Sequence, residues 1–244
     1  MNCSTKRHPF AVAFLLLLAA MAEPARAQTV AVDIGHYLAE PGATSARGLP
    51  EFSFNRALGT RIADALTRAG LHPHLIGLAG DARDLGARSR QAQQVNAAFF
   101  LSVHHDSAKE RLLKTWMVDG MERRYLDDRF RGFSLFVSRE NPRLKESLTC
   151  ASALGASLQQ AGLKPSRYHA DLELGEGRAF ADEANGVHFF DHLAVLRRAK
   201  MPAMLLEAGV ILNRDEELWL SDDSNREKIA QAVVAALQAC LKTN

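Results

Sequence analysis

The stretch Val30-Ala31-Val32-Asp33-Ile34-Gly35-His36 is apolar enough for a strand buried in a parallel sheet, yet it runs into an acid, a glycine and a histidine. A lone histidine at a strand end is usually a bystander, so its meaning depends on whether the rest of the chain supplies partners.

Working outward, strand-length apolar runs alternate with segments of helical period. Ser53–Gly70 reads as a helix with Leu58, Ile62, Ala65, Leu66 and Ala69 on one face and Gly70 as its C-terminal stop. A short strand at His72–Leu78 follows, then a helix over Asp84–Ala98 with Asp84 as its cap. "FFLSVHH", Phe99–His105, is a third strand that again ends in histidine. The charged segment Ala108–Arg131 fits an exposed helix, a lid or an insertion. A fourth strand (Gly132–Ser138) and a helix over Pro142–Ala161 come next. His169–Phe190 reads as an irregular loop, Met201–Ile211 as a last strand and Arg226–Lys242 as a closing helix. This alternation predicts a single α/β domain, with a mostly parallel central sheet flanked by helices on both faces.

Such sheets place their sites at the carboxyl ends of strands. His36, His104 and Glu207 all fall there, and Glu51 opens the first helix. "VHHD" presents two adjacent histidines to opposite faces of one strand, so only one of His104 and His105 can face a given site. Glu207 lies in "AMLLEAGV", where an unpartnered carboxylate is expensive to bury. His169, His188 and His192 have no carboxylate at ligand spacing and are poor candidates for ligands.

Residues 1–27 have the form of a signal peptide: Lys6, Arg7 and His8, an apolar run too short to span a bilayer comfortably, and Ala25-Arg26-Ala27 as a cleavage pattern. The expectation is an exported chain of about 215 residues, in the periplasm before the open medium and with no membrane insertion after cleavage. Taking Lys6, Arg7, Arg26 and Glu23 from the 30 basic and 28 acidic residues leaves the two signs equal. That balance argues against a nucleic-acid partner. Cys3 leaves with the leader, and Cys150 and Cys240 are either a disulfide or two buried thiols.

Three segments together resemble the zinc-dependent N-acetylmuramoyl-L-alanine amidases of bacterial cell-wall turnover. "DIGHYLAEPGATSARGLPE" carries His36, Pro41, Gly42, Ala43, Gly48 and Glu51. "RSRQAQQVNAAFFLSVHHD" carries Arg88, Asn96 and His104, and "LAVLRRAKMPAMLLEAGVILNRDEE" carries Glu207, Gly209 and Asn213. The resemblance spans the chain from 28 to 244. It implies one zinc ion on His36, Glu51 and His104, with the family register choosing His104 over His105. It further implies Glu207 as general base and then acid, and hydrolysis of the amide between N-acetylmuramic acid and L-alanine in peptidoglycan or muropeptides. Tyr37-Leu38, Glu40 and Phe52 depart from the family pattern and point to an altered cleft wall. Some members carry a helix that occludes the zinc until an activator protein binds, a role open to Ala108–Arg131 or to the loop Tyr168–His188. The plainer reading of the former is a solvated insertion. Two other readings stay open. One is a different zinc amidohydrolase or carboxypeptidase-like peptidase, with Arg178 or Arg197 clamping a free carboxylate. The other is a non-catalytic protein that binds wall peptides.

Overall fold

The computed structural model describes Met1 and residues 28–241; the expected signal peptide lies outside the described residues. In chain order the elements are β1 (Thr29–Ile34), α1 (Glu51–Arg68), β2 (His72–Ile76), α2 (Leu85–Gln94), β3 (Phe99–Asp106), β4 (Lys114–Val118), β5 (Met121–Tyr125) and β6 (Ser134–Val137). They continue with α3 (Leu144–Gln160), β7 (Phe180–Asp182), β8 (Val187–Phe189), α4 (Ala194–Arg198), β9 (Ala203–Val210), α5 (Arg214–Ser221) and α6 (Asp223–Leu241).

Seven strands form one sheet in the order β2-β1-β3-β9-β6-β8-β7. Strands β2, β1, β3 and β9 run parallel, as do β6 and β8, whereas β6 runs antiparallel to β9 and β7 to β8. Side-chain alternation splits the core in two. Val30, Val32 and Ile34 of β1 and Phe99, Leu101 and Val103 of β3 meet α1, α3 and α6 on one face. Ala31, Phe100, Ala203 and Leu205 meet the side chains of α2 and α4 on the other. Leu58, Ile62 and Leu66 of α1 are fully buried, each contributing about 1.5–3 kcal/mol. Gly59 lets α1 approach β1, because a Cβ there would lie 2.1 Å from Ile34 Cδ1. The helix stops at Gly70, whose φ of 79° a glycine adopts without strain.

Cys150 of α3 and Cys240 of α6 form a disulfide across a sequence separation of 90. Closing so long a loop contributes about 2–4 kcal/mol by restricting the unfolded chain.

Two segments differ from the sequence reading. Within Ala108–Arg131 the chain forms an antiparallel hairpin, β4–β5, turned at Asp119-Gly120. Both turn residues have positive φ, 51° and 75°, the conformation that an Asp-Gly pair favours in a two-residue hairpin. The hairpin packs beside the Thr44–Gly48 loop: Trp116 donates to the Ala46 carbonyl at 3.0 Å, and the Arg47 and Arg214 guanidinium groups stack on the Trp116 ring. The expected loop His169–Phe190 holds the edge strand β7 and its neighbour β8, three residues each and too short to leave a periodic signal.

Candidate metal centre

The site is assembled where β1 ends. Arg88, on α2 and 1% exposed, pairs with Asp33 at 2.6 Å. Its remaining donors reach the carbonyls of Ile34, His36 and Ala82. The second Asp33 oxygen accepts from Ser102 on the neighbouring β3 at 2.7 Å. This buried network fixes the path of the chain through Gly35 and His36. There His36 takes a φ of 67°, sparsely populated by non-glycine residues. A Cβ at Gly35 would sit 2.4 Å from the His104 ring, so the glycine is what allows β1 and His104 to share this space.

The chain then makes a tight turn at Tyr37–Glu40 and reaches Gly42, with φ of 80°. A Cβ on Gly42 would lie 2.4 Å from Glu51 Oε2 and 2.7 Å from His36 Nε2. The turn thus wraps the carboxylate closely, and the Ala43 amide donates to Glu51 Oε2 at 3.1 Å. Glu51 opens α1 and is itself buried.

His36 Nε2 lies 2.9 Å from one Glu51 oxygen and His104 Nδ1 3.1 Å from the other. One ligand atom from each of the three residues falls within 4.8 Å of the others. The carboxylate is braced from behind. Asn55, one turn along α1, donates to Glu51 Oε1 at 3.0 Å and has its own oxygen 2.8 Å from His105 Nδ1. His105 therefore faces α1 while His104 faces the cluster, as the alternation along a strand requires. Burial pushes the His105 ring down to about 3, so it is neutral and donates its Nδ1 proton to Asn55. Burial alone would raise the Glu51 carboxyl, but the two histidines beside it reverse the sign and hold it below the usual carboxylate range.

Glu207 of β9 is the cross-strand neighbour of His104 on β3, so both project from the same sheet face. Glu207 Oε2 is inaccessible to solvent and has no hydrogen-bond partner. Burial raises its pKa well above the ordinary value, with the charges of Asp106, Glu51 and Glu176 adding to the effect. Two imidazoles and a carboxylate form the N/O donor set that zinc takes. The orphaned Glu207 oxygen beside them also fits a site meant to hold a cation and a water.

Sequence reasoning missed a second polar layer behind Glu207. Asp106 accepts from the Tyr168 hydroxyl and lies 2.7 Å from His169 Nε2, while His169 Nδ1 lies 2.9 Å from Glu176. Asp106 follows two histidines in "VHHD", but its partners come from a segment that had no readable period. Burial opposes the charge on His169, yet Asp106 and Glu176 bring its pKa up to about 9. Because that value exceeds the unfolded one of about 6.5, the stabilisation is complete below pH 6.5 and is lost as pH rises through 9. Urea unfolding of the wild type and His169→Gln across this window is expected to show their stability difference shrinking by roughly 3 kcal/mol. A difference independent of pH would contradict the charged clamp.

The other candidates sit elsewhere. His188 is buried in β8 against Phe180 and Phe136, and His192 is exposed near Glu140. Arg178 stacks on Phe190 and contacts Glu176, and Arg197 lies 3.7 Å from Glu140, so each has local partners. Of the departures from the family pattern, Phe52 is buried and Leu38 is exposed beside Gly80.

Comparison with known proteins agrees with this architecture. Residues 30–239 match the N-acetylmuramoyl-L-alanine amidase family. A probable N-acetylmuramoyl-L-alanine amidase of Haemophilus influenzae is 25% identical, over 86% of this chain and 51% of that protein. An N-acetylmuramoyl-L-alanine amidase of Neisseria meningitidis is 25% identical, over 90% of this chain and 54% of that protein. The chain thus spans about half the length of these two relatives. Among solved structures, an N-acetylmuramoyl-L-alanine amidase of Nostoc punctiforme shares the fold with a TM-score of 0.65 at 21% identity, covering 88% of this chain and 97% of that one. The CwlD amidase of Clostridioides difficile, solved in complex with the GerS lipoprotein, has a TM-score of 0.67 at 19% identity, covering 89% and 100%. With the match running through nearly all of the described residues, the chain belongs to the N-acetylmuramoyl-L-alanine amidase family.

Proposed function

We propose that this protein is a zinc-dependent N-acetylmuramoyl-L-alanine amidase, hydrolysing the amide between the lactyl group of N-acetylmuramic acid and L-alanine in peptidoglycan or its fragments. The observation that carries the reading is the convergence of His36, Glu51 and His104 with the orphaned Glu207 beside them. His36, Glu51 and His104 would hold the metal. When bound, zinc supplies Lewis acidity, which makes water a stronger acid and polarises a carbonyl.

The protein's own residues do the rest. Arg88 and the Gly42 turn hold His36 and Glu51 in place before any ligand arrives. Asn55, locked by neutral His105, keeps the Glu51 carboxylate from rotating. Glu207 Oε2 takes the proton that the attacking water gives up, and the same carboxyl returns it to the departing L-alanine nitrogen. A raised pKa suits the second half of that cycle, because a base too acidic to keep its proton cannot deliver it.

The compartment belongs to the same reading. A disulfide between Cys150 and Cys240 suits an oxidising space outside the cytoplasm, and the periplasm is the expected one. An activator protein also belongs to it, by analogy with the CwlD amidase solved with a lipoprotein partner. The test is a digest of purified peptidoglycan, with and without chelator, read by the chemistry of the new ends. Free L-alanine amino groups that form only with zinc support the amidase; cleavage at another bond, or cleavage unaffected by chelator, overturns it.

A further inference from the structure

A cleft of about 460 Å³ adjoins the metal centre, within the size range of small-ligand sites. Its lining includes Ala43 and Thr44, Ser107 and Ala108, Leu212, and Arg123 of β5. Ala43 belongs at the same time to the metal centre, through its amide on Glu51. The cleft and the reacting bond are therefore neighbours.

The charges around it are matched with one exception among the basic groups. Arg124 pairs with Glu110 at 2.6 Å, Arg47 pairs with buried Glu217 at 2.6 Å, and Arg214 stacks on Trp116 and Tyr125. Arg123 has no acidic partner among the described residues: its one hydrogen bond runs to Met121 Sδ at 3.5 Å, and its Nε is inaccessible and unsatisfied. Its guanidinium lies close against Gly48, where a Cβ would come within 2.7 Å of Cζ. The hairpin holds the group half-buried beside the cleft, with only that weak contact to sulfur and no oxygen acceptor for its donors. A planar guanidinium so held suits the two oxygens of a carboxylate. Glu110 and Glu122 also line the cleft; Glu110 is held by Arg124, and Glu122 is exposed and screened by water.

We propose that Arg123 binds a free carboxylate on the peptide half of the substrate, and that the enzyme prefers peptides in which that carboxylate is unmodified. The inference rests on the amidase reading and deepens it. In such a substrate the lactyl carboxyl is already tied up in the amide, so the free carboxylates lie on the peptide side. Arg123 thereby assigns the cleft to the peptide and the opposite side of the metal centre to the glycan. The nearest carboxylate to the reacting bond is the α-carboxyl of the γ-linked D-glutamate that follows L-alanine.

The test uses the zinc-loaded full chain and the peptide L-alanyl-γ-D-glutamate, with its glutamate α-carboxyl free or amidated, in calorimetric titrations of wild type, Arg123→Gln and Arg123→Lys. Wild type is expected to bind the free acid about tenfold more tightly than the amide. Arg123→Gln should erase that preference, and Arg123→Lys should keep part of it. With muropeptides the same change should appear in KM, with kcat moving far less. Equal weakening of both ligands by Arg123→Gln, or an unchanged preference, would overturn the proposal. The amidase reading fails separately, if wild type releases no L-alanine amino groups while the titrations still show the preference.

Discussion

Glu207→Gln is expected to lower kcat about a thousandfold, in the range set by loss of a general acid–base, while the protein still binds one zinc. Glu207 is not among the three proposed ligands, so metal content should not follow activity down. The same substitution should leave the metal-free protein no less stable at neutral pH. Glu207 has a folded pKa above its unfolded value, raised by burial and by Asp106, Glu51 and Glu176. Above about pH 4.5 its ionisation therefore opposes folding, and removing the charge relieves that opposition. Activity and stability then move in opposite directions, the pattern of a residue kept for chemistry. Zinc stoichiometry, kcat and thermal midpoint measured on one preparation check all three. Loss of zinc with activity would make Glu207 a ligand, and a lowered midpoint would make it structural.

Arg88→Ala should have the largest effect on stability, about 3–5 kcal/mol. The side chain is fully buried, and truncation leaves Asp33 without its ion-pair partner and takes the guanidinium donors from three carbonyls. Because one of those carbonyls belongs to His36, in its left-handed conformation, zinc affinity should fall as well. Adding Asp33→Asn removes the stranded charge and should recover part of the stability but not the zinc affinity. Urea unfolding and competition with a chromophoric chelator measure the two. Full recovery of both in the double variant would mean that Arg88 serves only to neutralise Asp33.

What the sequence made legible follows from which signals are local. Strands β1, β3 and β9 are buried on both faces and read as continuous apolar runs, so the carboxyl-end positions of His36, His104 and Glu207 could be read directly. The His104–Glu207 pairing itself is a matter of register between strands about a hundred residues apart, and only the fold supplies it. The hairpin was legible in principle, since Asp119-Gly120 is a strong turn signal. Its flanks, Lys114–Val118 and Met121–Tyr125, are mostly exposed, so charge obscured the alternation. The Asp106–His169–Glu176 layer left no comparable trace. Its members lie 63 and 7 residues apart, and the charge on His169 exists only because folding places two carboxylates around it.

The proposed role of the first strand's end, which passes from Ile34 through Gly35 to His36, is to hold a metal. Its most direct test is an anomalous difference map at the zinc absorption edge, from crystals of the zinc-loaded protein. A single peak is expected among His36 Nε2, the Glu51 carboxylate and His104 Nδ1, with Glu207 beside it and off the metal. A peak at His169 or His188, or none between His36 and His104, would contradict it.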